Sequence, residues 1–331
     1  MRPTVEQPNC RSMWRRASAA ILALTLTACA THTDSAVKTS TVSSPTTAVA
    51  QIPSWPPELK DFRFRWTAEP GIDLESGIAV PIRAYVESWR IAGMQSNMAY
   101  AYPGFTRVVP EDRDLSPTTN GVPAYLLTNV RPHMESEYEP ATIGTWYRSH
   151  RYYGTEFLHL LEVTPTARGY SAVVCDGIYG IYRDNVSSGL IVEHNKFPTP
   201  DFYQSVIDST AWQGSDRIKD QVHVWRVELT DKPLPGTTTP PAAVNQTGPD
   251  PAPTDDVFGP WRIVGANTDN SWESYPNFTG TDAPPYTDYL RHLEQCKARM
   301  PDNQQKRDEA VKALPRTPPK AAPAVPGWPA G

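Results

Sequence analysis

Two periodicities divide the chain. Across "DLESGIAVPIRAYVESWRIAGM", Ile78, Ile82, Tyr85, Val86, Trp89 and Gly93 recur at spacings of three and four, which predicts a helix with one apolar face. Pro81 falls within its first turn, where the missing N–H costs little. Upstream, Phe62, Phe64 and Trp66 alternate with Arg63 and Arg65, the pattern of an edge strand or an extended arm. Residues 99–140 show no sustained period and predict irregular structure with a short helix. Then the period becomes two. "TWYRSHRYY", "TEFLHLLEVT" and "GYSAVVCDGIYGIYR" read as aromatic strands, and "PTARG" between the last two as a hairpin loop. "FYQSVIDSTAWQG" reads as a short helix. "QVHVWRVELT" puts His223, Trp225, Val227 and Leu229 on one face and Val222, Val224, Arg226 and Glu228 on the other. "GPWRIVGANT" is a further strand, and "YTDYLRHLEQCKARM" is helical by composition.

The fold class expected is α+β: an N-terminal helix packed on a curved antiparallel sheet in one domain over 55–300. This element order, with its aromatic strands, resembles the cone-shaped fold of nuclear transport factor 2-like proteins. Composition marks what lies outside the core. The chain of 331 residues holds 35 prolines, about twice the usual share, many of them in three clusters. Residues 231–258 carry seven prolines and almost no large apolar side chain, so a disordered insertion over about 233–258 is expected between two strands that pair with each other. Loop closure grows only logarithmically with length, which makes such an insertion inexpensive. Over 301–331 a helical extension after Pro301 and a disordered Pro-rich tail are expected.

The first 28 residues carry four arginines against Glu6, followed by the apolar run "ASAAILALTLTA". That run has the length of a signal-peptide core and falls short of the roughly 20 apolar residues of a membrane span. Leu26-Thr27-Ala28-Cys29 resembles the bacterial lipobox, in the manner of mycobacterial-type lipoproteins. The resemblance implies a diacylglyceryl thioether on Cys29 and removal of residues 1–28. It also implies a location on the outer face of the cell membrane. A chain beginning at Cys29 carries −8 in place of −5, since the leader holds a net +3. Such a chain gains nothing electrostatically from an anionic leaflet, so the two acyl chains must hold it. Residues 29–54, rich in Ser and Thr, then read as a disordered tether.

The four cysteines are Cys10, Cys29, Cys175 and Cys296. With Cys10 in the leader and Cys29 lipidated, the remaining two in an exported chain predict a Cys175–Cys296 disulfide, the alternative being two buried thiols. No spacing suggests a metal site, no glycine-rich loop suggests a nucleotide cofactor, and no serine-hydrolase elbow occurs. The acidic balance and the lack of a basic stripe argue against nucleic acid. One hairpin register would place His159 and Asp176 as neighbours on one face, a base and its orienting acid. A slip of one residue would separate them. Trp89, Trp146, Tyr179 and Trp225 would line a ligand pocket or simply fill the core. The function expected is a membrane-anchored binding or scaffold module of the cell envelope. Its partners would be membrane lipid through Cys29 and an envelope protein or an apolar small ligand. The alternatives are a small hydrolase or isomerase using His159 and Asp176, and a structural subunit of a secretion or conjugation complex.

Overall fold

The computed structural model describes residues 55–111, 130–132, 151–185, 202–206, 221–232, 245–267 and 286–330. Of the two units into which the chain divides, Met1–Val49 and Ala50–Gly331, all of these belong to the second. The leader, Cys29, the tether, Trp146 and residues 233–244 therefore lie outside the described residues.

Alternation writes the sheet. In β1 (Asp61–Ala68) Phe62, Phe64 and Trp66 are buried while Arg63 and Arg65 are half-exposed. β1 pairs with β2 (Tyr152–Thr166), which turns through Ala167-Arg168 into β3 (Gly169–Gly177). β4 (Ile181–Asn185) continues beside the start of β2, and β5 (Phe202–Ser205) pairs with β4. β6 (Val222–Thr230) lies against β3, and β7 (Arg262–Asn267) against β6. The seven strands form one mixed sheet. The expectation of a wholly antiparallel sheet is thereby corrected, because β1 and β2 run parallel. Parallel neighbours need a long crossover, and the helix α1 (Ala79–Gln95) lies on it. A positive φ of 92° at Gly154 lets β2 approach the turn between β3 and β4. A side chain there would stand 2.2 Å from the Gly180 carbonyl oxygen.

Both faces of the sheet are covered. On one, Leu158, Leu160, Val174, Trp225 and Val227 share a core with Ile82, Tyr85 and Val86 of α1 and with Phe105 and Val108 of the short helix α2 (Phe105–Val108). On the other, Val173, Cys175, Val222 and Val224 pack with Tyr289, Cys296 and Met300 around α3 (Tyr286–Arg299), and with Val311 of α4 (Gln304–Lys312). Cys175 and Cys296 form the expected disulfide, tying β3 to α3 across 121 residues of sequence. Asn303 caps α4, accepting from the Lys306 amide at 3.0 Å.

Three expectations are corrected. "FYQS" opens as strand β5 where a helix was expected, its edge being needed by β4. Within the Pro-rich insertion, residues 245–258 pack against the core, with Ala252, Val257 and Phe258 buried. β6 and β7, on either side of it, do pair as expected. The Pro-rich tail is ordered. It passes beside β5, where Tyr203 donates to the Pro315 carbonyl at 2.9 Å. It next meets Thr155, whose Oγ1 accepts from the Ala322 amide at 2.9 Å. It then closes the outer edge of β1, where the Trp66 amide donates to the Val325 carbonyl at 2.6 Å. Trp328, only 1% exposed, ends the strap inside the core. Its backbone bridges to Asp250, and its indole Nε1 donates to Glu87 Oε2 at 2.8 Å. Glu87 also accepts from Trp66 Nε1 and from the Tyr102 hydroxyl, each at 2.6 Å. One turn earlier on α1, Arg83 stacks 4.2 Å over the Trp328 ring and donates to the Pro326 carbonyl at 2.8 Å. Proline suits this strap because it arrives pre-extended and has no N–H to leave unsatisfied.

Trp328→Ala should lower unfolding stability by about 3–5 kcal/mol, the usual cost of emptying a buried aromatic site. Trp328→Phe, which keeps most of the packing and removes the N–H from Glu87, should cost about 1–3 kcal/mol. Urea unfolding of the two variants against the wild type measures both, and near-wild-type stability for Trp328→Ala would refute the buried role.

Candidate functional site

The hairpin register decides which polar groups meet. From Thr166↔Gly169 to Glu162↔Val173 the pairing would, if continued, bring His159 opposite Asp176. A bulge at Leu161 intervenes, and beyond it His159 pairs with Cys175 and Asp176 with Leu158. Successive side chains alternate faces, so His159 lies on the α3 side and Asp176 on the α1 side. The expected His159–Asp176 pair is therefore not assembled: one extra residue in β2 separates them.

His159 has other partners. It is 4% exposed, and its Nδ1 lies 2.8 Å from the Thr67 hydroxyl on the neighbouring parallel strand, where Thr67 and His159 are register partners. Its Nε2 is 3.4 Å from Glu69 Oε1, a close approach without hydrogen-bond alignment. Arg299, at the end of α3, bonds the same carboxylate oxygen. Burial pushes the His159 imidazolium below the ordinary histidine range, with Glu69 opposing. The Arg299 hydrogen bond holds the Glu69 carboxyl below the usual carboxylate range.

Asp176 belongs to a second cluster, buried beneath α1. Arg90 forks onto Glu156, Nε to Oε1 at 2.7 Å and Nη2 to Oε2 at 3.2 Å, and its Nε stands 4.0 Å from Asp176 Oδ2. Trp225 Nε1 donates to Asp176 Oδ2 at 3.1 Å. Both carboxyl groups are fully buried. Asp176 Oδ1 is buried without a hydrogen-bond partner. Burial pushes Glu156 well above the usual carboxylate range; Arg90 pulls it back and Asp176 pushes it further up. Arg90 is the cation that faces both buried acids, bonded to Glu156 and 4.0 Å from Asp176.

Of the aromatic candidates, the three among the described residues, Trp89, Tyr179 and Trp225, do not converge on one cavity. Trp89 and Trp225 meet edge to face at 5.1 Å on the α1 side, above Asp176. Tyr179 stacks on Phe157 at 5.7 Å on the other face, with Arg307 6.0 Å over its ring. A cleft of about 450 Å³ lies elsewhere, between the strap and the segment after β1, lined by Trp66, Ile72, Asp73, Glu75, Thr247 and Val325 among others. Among the described residues, no group of three or more His, Cys, Asp or Glu is placed to hold a metal ion. Sequence reasoning missed Glu156 and Arg90. The signal was present, because Glu156 shares its parity in β2 with Leu158 and Leu160, a charge written into an apolar face. Thr67 and Glu69 carried no such mark, since only the parallel pairing brings them to His159.

No protein family, curated protein or solved structure matches the chain.

The upward shift at Glu156 has a signed consequence. Folded Glu156 keeps its proton at pH values where an unfolded glutamate, near 4.5, has released it. The folded state then binds more protons than the unfolded one, and stability falls as pH rises above that value toward the folded pKa. Relative to Glu156→Gln, the wild type should lose up to about 1.4 kcal/mol per pH unit across this window. Urea unfolding of both proteins from pH 4 to pH 8 reads the difference, and parallel stability curves would exclude a retained proton on Glu156.

Proposed function

We propose that this chain is an exported lipoprotein that holds its α+β domain at the outer face of the cell membrane, where the domain serves the envelope as a binding or scaffold module. The observation that carries this reading is the joining of Cys175 to Cys296, the two cysteines that follow Cys29. A buried disulfide of this kind persists in oxidising compartments, the environment to which the Leu26-Thr27-Ala28-Cys29 motif would deliver the chain. In this reading diacylglyceryl-Cys29 is the sole membrane contact. Among the described residues no helix is long and apolar enough to cross a membrane.

The likeness to nuclear transport factor 2-like cones belongs to the same proposal, for the core of the domain. It is supported by α1 lying against one face of the sheet. The parallel β1 and the helices on the second face depart from a helix on an antiparallel cone. The strap's Pro-rich segment is occupied within its own domain, so partner docking passes to the Pro-rich run at 233–244. An envelope protein is favoured over an apolar small ligand, because Trp89 and Trp225 are packed on each other and on α1 and Tyr179 lies on the opposite face.

Cys29→Ser should abolish incorporation of labelled palmitate into the protein in expressing cells, and leave residues 1–28 attached. Continued palmitate labelling of Cys29→Ser, or no labelling of the wild type, would contradict lipid anchoring through this residue.

A further inference from the structure

We infer that Thr67, His159 and Glu69 form an acyl-accepting site, in which the Thr67 hydroxyl is the nucleophile toward a small activated ester. The inference does not depend on lipid anchoring. It starts from which nitrogen of His159 bears the proton. A neutral imidazole has one donor and one acceptor nitrogen. If Nδ1 carried the hydrogen, the bare lone pair of Nε2 would face the Glu69 carboxylate at 3.4 Å. The opposite tautomer removes that repulsion: Nε2–H lies within 3.4 Å of Glu69, close enough for attraction though not aligned as a hydrogen bond, and Nδ1 accepts from the Thr67 hydroxyl at 2.8 Å. That is the electronic arrangement of an activated hydroxyl, with a base on its oxygen and a carboxylate behind the base.

The surroundings fit the roles. Thr67 is exposed at the end of β1, while His159 beneath it is buried, so a ligand can reach the hydroxyl and solvent hardly reaches the imidazole. Burial keeps His159 neutral near pH 7 and therefore able to accept a proton. Arg299 fixes Glu69 from α3, the helix that the Cys175–Cys296 disulfide clamps to β3. Cys175 is the register partner of His159, so the clamp lies beside the base that it steadies. A core histidine satisfied by a neighbouring hydroxyl would need neither an ionised acid behind it nor an exposed oxygen in front.

In the reaction, a lone pair of Thr67 Oγ1 forms a bond to the acyl carbon as the hydroxyl proton passes to His159 Nδ1. Glu69 stabilises the imidazolium so formed. The ester C–O bond then breaks, and the departing alkoxide takes that proton, leaving an acyl-threonine. Water attacks the acyl carbon next, gives its proton to Nδ1, and Thr67 recovers a proton as the carboxylic acid leaves. No oxidant, metal or further reactant enters the balance.

The test uses the full chain and p-nitrophenyl acetate, reading p-nitrophenolate release against the heat-unfolded chain as background. Wild type should exceed background, and Thr67→Val should fall to it, a loss of about 100-fold where general-base activation operates. Thr67→Ser should retain the activity. Glu69→Gln, at a partly exposed position that leaves the core untouched, should lower it without unfolding the protein. The wild-type rate should rise with pH to a plateau, with its midpoint below 6.5, as His159 loses its proton. Equal release by wild type and Thr67→Val, or release by wild type no faster than by the unfolded chain, would overturn the proposal.

Discussion

A single buried carboxylate holds together parts of the chain that are far apart in sequence. Glu87 accepts from Trp66 in β1, from Tyr102 beyond α1 and from Trp328 three residues before the C-terminus. Burial pushes its carboxyl upward, and Arg83, Tyr102, Trp328 and Trp66 all pull it back. An ionised group without such donors would be prohibitively costly in this position. The requirement runs in both directions. The acid needs its donors, and the donors, two indoles and a phenol placed in an apolar core, need an acceptor. Losing Trp66 takes away the donor to Oε1, while losing Trp328 leaves Oε2 with Tyr102 alone. The strap is therefore a part of the domain that completes the edge of β1, and its loss would expose a parallel edge strand to pairing with other chains.

The sheet is built to keep two polar clusters apart. The Leu161 bulge sends His159 toward α3 and Asp176 toward α1. On the α1 side the result is a closed set of Arg90, Glu156 and Asp176, roofed by Trp89 and Trp225. On the α3 side it is an imidazole shared between an exposed hydroxyl and an anchored carboxylate. The two acids of the first are sealed from solvent beneath α1. The second lies at the surface, with Thr67 exposed, Glu69 partly so and His159 buried beneath them.

Much of this was legible where local pattern and tertiary demand agree. Ile82, Tyr85 and Val86 wrote the inward face of α1, and the parity of β6 separated Trp225, Val227 and Leu229 from Val222 and Val224, as observed. The disulfide followed from counting cysteines once Cys29 was set aside. The failures have physical causes. A bulge leaves no compositional trace, so the register that joined His159 to Asp176 was as good on paper as the one adopted. The strap was read as disordered because prolines dominate it. What orders it is its own Trp328, met by one buried acid and one stacked arginine from a helix more than 200 residues away in sequence. The partners of His159 were hidden for the same reason, since a parallel pairing 92 residues apart brings Thr67 to it.

The central claim is that the C-terminal strap belongs to the cooperative core through Glu87. Native-state hydrogen exchange at single-amide resolution tests it directly. The amides of Trp66 and Trp328, which donate to Val325 and Asp250, should exchange only on global unfolding, at the same free energy as the slowest amides of the β2–β3 hairpin. Exchange of the Trp328 amide at the rate of an unstructured peptide, while the hairpin stays protected, would contradict the account.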